Sequence, residues 1–492
     1  MGIASGAART ATILVQLPLG FFIPFVVLAV GWTFFLFEEW SGYLKALNIP
    51  MLSRVDDILI AAAIVLSYVI GLLIAYNFSV AINWALVRYR LKPLHLPTAR
   101  PHRPPGAAGP SDRFQNVRKI GLVLAGGGAK GAFQAGAMKA IYQFLAEHDA
   151  LNKVKVISGT SIGSWNALFW LGDLVASDKG WDHRSVHESW WRSINLRSLI
   201  APSWYVPGWR NAFFATGPWQ AIFDRIFGQN EVKKRIVDSN IHFYLTRSDV
   251  RSGKLECTTN NQNPCRIPKI RYTCLDLSKG ANEFMDGVKF GVFASMDLPP
   301  LFPYMRLEGN LFEDGGVIDN LPVLFAAMEG CDLIFILPLN SDFTSVPNQR
   351  SILRRLLRVM DVRQGALERG GLKELYLYNE IAVLRDYALA LETKAVEAKI
   401  ELPPVNASQT LQYALKRTHQ VSKIFAVCPL RTFVQDTINT QELWKSKGAG
   451  RAFDVMYRAT GDVLSSNFDP NQERIKVALV DGAENITWDE HF

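Results

Sequence analysis

Gly159-Thr160-Ser161-Ile162-Gly163 sets a serine between two glycines, after the strand-like run 154–158 and before the helix-like run 165–170. Strand, sharp turn and helix is the setting in which G-x-S-x-G becomes a nucleophile elbow. Gly159 and Gly163 remove Cβ atoms where strand and helix would otherwise collide, so the backbone can lift the Ser161 hydroxyl into the open. The helix that follows aims its unpaired N–H groups and partial positive charge at any negative charge that develops there.

A second glycine cluster precedes it: Gly126, Gly127, Gly128, Ala129, Lys130 and Gly131, again between a strand and a helix. Converging N–H groups in such a loop form an anion-binding nest. A dinucleotide phosphate is one candidate anion, but no acidic ribose partner ends the next strand at the expected distance. A Walker loop needs Gly-Lys-Ser/Thr, whereas Lys130 is followed by Gly131. An oxyanion hole serving a serine on the next strand fits better.

A serine nucleophile needs a base. The downstream histidines His183, His187, His242, His419 and His491 have no context resembling a hydrolase triad end. His183 and His187 have i,i+4 spacing without an H-E-x-x-H pattern, so no metal site is expected. Asp314 is the more pointed acid, at an apolar strand end and ahead of Gly315 and Gly316. A carboxylate held within hydrogen-bond reach can take a serine proton directly; an ordinary Asp-Gly turn is the alternative.

The elements that must position these residues read as an α/β domain. Short apolar runs at 121–125, 154–158, 241–245, 270–274 and 333–337 predict strands, and 132–147 predicts a helix. Buried strands separated by helices argue a mostly parallel sheet. Residues 181–227 hold Trp190, Trp191, Trp204, Trp209 and Trp219, read as aromatic core under a helical cap, with an interfacial surface as the alternative. Residues 350–400 read as long helices, with Arg350, Arg354 and Arg358 on one face and Leu353, Leu356 and Met360 on another.

Charged residues make up only 20% of the 492. Residues 11–37 and 58–87 carry no charge at all. Each exceeds the roughly 20 residues that cross a bilayer core, so two transmembrane helices are expected. Arg88, Arg90, Lys92, Arg100 and Arg103 follow the second, which places the large C-terminal part on the cytoplasmic side. The expected organisation is a hairpin over 1–92, a basic proline-rich linker over 93–117, a catalytic core over 118–340 and a C-terminal helical region over 341–492. The net charge of +8 is assigned largely to the juxtamembrane stretch, hence to anionic lipid head groups rather than nucleic acid. Five widely spaced cysteines without a C-x-x-C pair exclude a zinc knuckle or redox motif and fit reduced thiols.

The glycine loop at 126–131, the elbow at 159–163 and Asp314-Gly315-Gly316, in this order, resemble the patatin-like phospholipase family. Residues 294–303, a small-residue helix running into a proline-rich turn, and Asp319-Asn320-Leu321-Pro322 are similar as well. The resemblance covers roughly 119–340. It implies a three-layer α/β/α domain and a Ser–Asp dyad with neither histidine nor metal. Ser161 would be the nucleophile, Asp314 the base, and Gly127, Gly128 and their neighbours the oxyanion donors. Lys130 would be structural or would attract a substrate phosphate. Asp297 stands where the family often has a small hydroxyl residue, and the tryptophan-rich stretch has no clear counterpart.

The expectation is therefore a multi-pass membrane serine hydrolase, free of cofactors, that cleaves carboxylic esters of phospholipids or lysophospholipids in a bilayer. Acyl transfer or thioester cleavage on the same residues, and a non-catalytic membrane scaffold, are the alternatives. Oligomeric state is left open.

Overall fold

The computed structural model describes residues 112–194, 199–202, 212, 214–265, 267–299, 301–340, 352–400, 423–429, 446–466, 468, 470, 476–480 and 486–489. The hairpin expected over 1–92, Trp204 and Trp209 lie outside them, as do the side chains of Arg350, Arg354 and Arg358. Among the described residues no helix is long and apolar enough to cross a membrane.

In chain order the elements are β1 (Ile120–Leu124), α1 (Gly131–Glu147), β2 (Val154–Thr160), α2 (Ile162–Leu171) and α3 (Val186–Ser193). Then come β3 (Ala201–Pro202), β4 (Phe214–Ala215), α4 (Gly217–Phe227), α5 (Asn230–Val237), β5 (His242–Asp249), β6 (Lys254–Thr259) and β7 (Arg271–Cys274). They are followed by α6 (Ala281–Met296), β8 (Met305–Leu307), β9 (Asn310–Asp314), α7 (Val323–Met328), β10 (Leu333–Leu337) and α8 (Ile352–Glu397). The chain closes with β11 (Lys423–Pro429), α9 (Ser446–Ser466), β12 (Lys476–Val480) and β13 (Ile486–Asp489). The described residues within 95–199 and 219–492 form one compact unit; β3 and β4, outside it, pair as a small antiparallel hairpin.

The main sheet runs β13-β12-β11-β10-β1-β2-β5-β6-β7, with β9 pairing β5 and β8 pairing β9. Its centre is parallel: β1 lies between β10 and β2, and β2 continues to β5. β1 and β10 are continuous apolar runs buried at every position, as expected where helices cover both faces. β6 runs antiparallel to β5, β9 to β5 and β8, and β13 to β12, so the sheet is mixed but mostly parallel. This agrees with the α/β/α arrangement that the resemblance implies.

Strands anticipated at 121–125, 154–158, 241–245, 270–274 and 333–337 are present within a few residues, as is the helix over 132–147. Beyond residue 340 the expectation was helical, and there the structure differs. α8 and α9 are helices, but β11, β12 and β13 extend the main sheet past β10. Their apolar runs cannot be told from buried helix segments by periodicity alone.

Trp190, Trp191 and Trp219 take the core reading. They are buried around Trp165 of α2, whose ring lies 5.2 Å from Trp190, 5.4 Å from Trp219 and 5.4 Å from Phe227. Edge-to-face pairs of this kind stabilise beyond area burial. They fix the helix that begins at Ile162, directly after Ser161.

Candidate active site

Parallel strands of an open α/β sheet present their carboxyl ends to one crevice. β1 ends at Leu124 and runs into the glycine loop, while β2 pairs with it so that Leu124 faces Gly159. Ser161 comes one residue past the end of β2, at φ 53° and ψ −125°, a region that non-glycine residues rarely adopt. Such backbone persists only where the surroundings over-determine it. Here a Cβ on Gly163 would stand 2.3 Å from the Leu124 carbonyl oxygen, so only glycine lets α2 approach β1 this closely. The Ser161 N–H donates to Ser295 Oγ (2.8 Å), which also meets Ser164 Oγ (2.9 Å), and Ser164 Oγ donates to the Gly159 carbonyl (2.8 Å). Ser161 keeps 8% exposure while Thr160 and Ser164 have none, so at the turn only the serine remains reachable.

Asp314 reaches Ser161 through the antiparallel strands. β9 pairs with β5 so that Asp314 faces Arg247, and β5 in turn flanks β2. Gly315 lets this strand end close on β5, because a Cβ there would lie 2.5 Å from Thr246 Oγ1. Ser248 Oγ donates to the Asp314 carbonyl (3.0 Å), and the Asp314 N–H donates to the Asp297 carbonyl (3.0 Å). The fully buried carboxylate accepts from the Gly316 N–H (2.7 Å). Burial pushes the Asp314 carboxyl up to about 7, against the opposing influence of the Ser161 side chain and the Gly316 N–H.

The glycine loop closes the third side. Gly126 lies so near the elbow that a Cβ there would stand 3.0 Å from Ser161 Cβ. Its N–H donates to the Asn320 carbonyl (3.1 Å), and the Lys130 N–H to the Gly127 carbonyl (3.1 Å). Gly128 sits at φ 55°. Lys130 Nζ donates to Asn340 Oδ1 at 2.5 Å, which turns at least one of its bonds inward. Preorganised N–H groups beside a serine are the arrangement that receives a tetrahedral oxyanion.

The histidines sit elsewhere. His187 is buried against Phe169 and shares Asn166 Oδ1 with the Trp191 indole (both 3.0 Å); burial lowers it to about 3, so it stays neutral. His183 is exposed, His242 lies 3.4 Å from Glu329, and His419 and His491 are outside the described residues. Among the described residues no cluster of three or more His, Cys, Asp or Glu could hold a metal.

Several residues at the site were not singled out from sequence as carrying a role. Ser295 and Ser164 hold the elbow; Asn320 ties the turn after Asp314 to Gly126, its Nδ2 donating to the Gly126 carbonyl (3.0 Å). Ser295 lies in the last turn of α6 and Asn320 two residues ahead of a proline, but neither pattern reveals a partner so distant in the chain. Asp297 was noticed only as a departure. Neither of its carboxyl oxygens meets a hydrogen-bond partner among the described residues. Burial, and then the charge of Asp314, raise it well above the usual carboxylate range.

Residues 122–327 match the family model described as patatin-like phospholipase. Lysophospholipase NTE1 of Eremothecium gossypii is 30% identical over 233 residues, which is 46% of this chain and 12% of that protein. Lysophospholipase NTE1 of Coccidioides immitis is 28% identical over 223 residues, 44% of this chain and 11% of that protein. The chain thus spans little more than a tenth of the length of these curated relatives. The crystal structure of VipD from Legionella pneumophila covers 72% of this chain and 68% of its own at 16% identity, with a TM-score of 0.29, too low to carry an argument. On these matches residues 122–327 are similar to patatin-like phospholipases, and the matches support a lipid ester hydrolase.

Proposed function

We propose that this chain is a membrane-anchored serine hydrolase that cleaves carboxylic esters of phospholipids or lysophospholipids, with Ser161 as nucleophile and Asp314 as its base. The observation that carries the reading is the convergence of Ser161, on its strained turn, with a buried Asp314 whose carboxyl is influenced by the Ser161 side chain, beside the glycine loop. The relatives' printed names add lysophospholipids as the first substrate class to try. Anchoring rests on the two charge-free segments at 11–37 and 58–87.

Ser161 Oγ attacks the ester carbonyl carbon and its proton passes to Asp314. The carbonyl oxygen, now an oxyanion, accepts from N–H groups of the Gly127–Gly128 stretch. Collapse breaks the bond to the glycerol oxygen, which leaves as an alcohol with the proton from Asp314. Water then attacks the acyl-enzyme carbonyl, giving a proton to Asp314, and Ser161 Oγ departs with that proton as the fatty acid is released. A group titrating near 7 suits both directions of this transfer.

The test is hydrolysis of a panel of phospholipids, lysophospholipids and acylglycerols by the full chain, with chelator present. Ser161→Ala and Asp314→Asn should each lose activity, and Ser161→Ala should also lose labelling by a serine-reactive fluorophosphonate. Wild-type rates in either variant would end the assignment.

A further inference from the structure

α8 lies beyond the segment that matches the family, yet one of its side chains reaches into the site. Glu368 is 1% exposed. Its Oε1 accepts from Asn320 Nδ2 and from Asn340 Nδ2, both at 2.6 Å. Its Oε2 accepts from the N–H groups of Asn340 (2.9 Å) and Leu339 (3.2 Å). Four N–H donors converge on two oxygens, filling the acceptor capacity of a carboxylate. A protonated carboxyl would have to aim its O–H at one of these donors; burial raises the group to about 7, and these hydrogen bonds and the Lys130 charge pull against that. Lys130 supplies the opposite charge, through its 2.5 Å bond to Asn340 Oδ1.

What these donors hold is the oxyanion loop. Asn320 grips Gly126 at both the N–H (3.1 Å) and the carbonyl (3.0 Å). Leu339 packs where a Gly127 side chain would be: a Cβ there would lie 2.7 Å from Leu339 Cδ1. Lys130, at the other end of the loop, is tied to Asn340. The turns that back Gly126 and Gly127, and the side chain that holds Lys130, are therefore fastened to Glu368. For stability alone this is a poor use of a buried charge, since well-packed apolar side chains often serve as well or better. A carboxylate is suited to a different task, holding several amide groups at fixed positions.

We propose that Glu368 is a positioning residue for the ester-cleaving site, clamping the Asn320 and Leu339–Asn340 turns from α8 and thereby setting the glycine loop that receives the oxyanion. The inference rests on Ser161 being the nucleophile. It makes α8 part of the catalytic machinery, through a residue that touches no substrate. Loss of the clamp lowers transition-state stabilisation and leaves ground-state binding of the lipid unchanged.

The experiment compares full-length wild type with Glu368→Gln, which turns an accepting oxygen into an N–H group facing other donors. Leu375→Ala is the control: it is a fully buried residue of the same helix with no part in the clamp. The readouts are kcat and KM on a lysophospholipid in mixed micelles, the rate of fluorophosphonate labelling, and melting temperature. Glu368→Gln should lose about tenfold to a hundredfold in kcat, as small misplacements of catalytic groups do, with KM within about twofold and labelling slowed in parallel. Leu375→Ala should melt lower yet keep near-wild-type kcat at temperatures where it is folded. Asn340→Asp, which replaces a donor facing Glu368 by an acceptor, attacks the clamp from its other end and should reproduce the kcat loss if Glu368→Gln does not fold. Wild-type kcat in either clamp variant, or an equal kcat loss in folded Leu375→Ala, overturns the proposal. Absence of Ser161 labelling in wild type would overturn the hydrolase reading and the clamp with it.

Discussion

The state of Asp314 makes the dependence of activity on pH a sharp test. Burial places its carboxyl at about 7, and only the ionised form can take the Ser161 proton. Two pH units below that midpoint, at pH 5, only ~1% of the enzyme holds a competent base, so kcat/KM should fall about a hundredfold from its plateau above pH 8. A solvated aspartate near the reference value of about 3.9 would still be ~90% ionised at pH 5 and would give an almost flat profile. The assay is kcat/KM on a neutral, uncharged ester in micelles from pH 4.5 to 8.5, with labelling rates by a fluorophosphonate as a second readout free of substrate binding. Melting curves at each pH separate titration from unfolding. Asp297 adds an internal control. Its carboxyl is pushed well above the usual range, by burial first and then by the Asp314 charge, while the Asp314 carboxyl owes its own elevation chiefly to burial. Asp297→Asn should therefore leave the midpoint near 7. A midpoint near 4, or a flat profile, would refute the buried-base argument.

Asp297→Asn should also raise the melting temperature, by an amount that depends on pH. A carboxyl raised in the folded state contributes stability that is fully present below about pH 4 and is lost as pH rises towards its folded value. The advantage of the asparagine variant should thus be nil at pH 4 and grow towards pH 8. Ser295→Ala orphans the buried Ser161 N–H, which donates to Ser295 at 2.8 Å; losing such a partner costs about 1–3 kcal/mol, and kcat should fall at least tenfold while KM holds. Trp165→Ala, at a ring buried among Trp190, Trp219 and Phe227, should cost about 3–5 kcal/mol by chemical denaturation.

The centre of the sheet is legible because β1 and β10 are continuous apolar runs and β1 and β2 lead into glycine-bearing turns. The elbow and the glycine loop were legible for a related reason: their spacing sets both at the ends of strands that prove to be neighbours, with Leu124 opposite Gly159. Asp314 was readable as a residue but not as a geometry. Its place depends on β9, a five-residue strand whose register, Asp314 against Arg247, is fixed by a partner some 66 positions earlier. β5 itself hides its nature, since Arg247 and Asp249 are buried in it. Arg247 survives there by bonding Glu256 at 3.2 Å and Thr273 at 2.7 Å, with Phe312 stacked over its guanidinium. No periodicity announces such an arrangement. Glu368 was hidden more completely, as one charge among many on a long helix, because only the fold brings it to Asn320 and Asn340.

The acids around Ser161 share one physical origin. Asp314, Asp319 and Glu368 are each raised by burial, to about 7, 6 and 7, and Asp297 is raised well above the usual carboxylate range. Each destabilises the folded chain as pH rises above the ordinary carboxylate range, so together they oppose folding at neutral pH. Three of them hold backbone or amide N–H groups in place: Glu368 behind the glycine loop, Asp314 on the Gly316 N–H at 2.7 Å, and Asp319 on the Leu321 N–H at 3.1 Å in the turn after Asp314. Buried anions behind the loop are a reason for its donors to hold one fixed geometry. The aspartate in front of it is a reason for the serine to give up its proton. Both follow from excluding water from the same few residues.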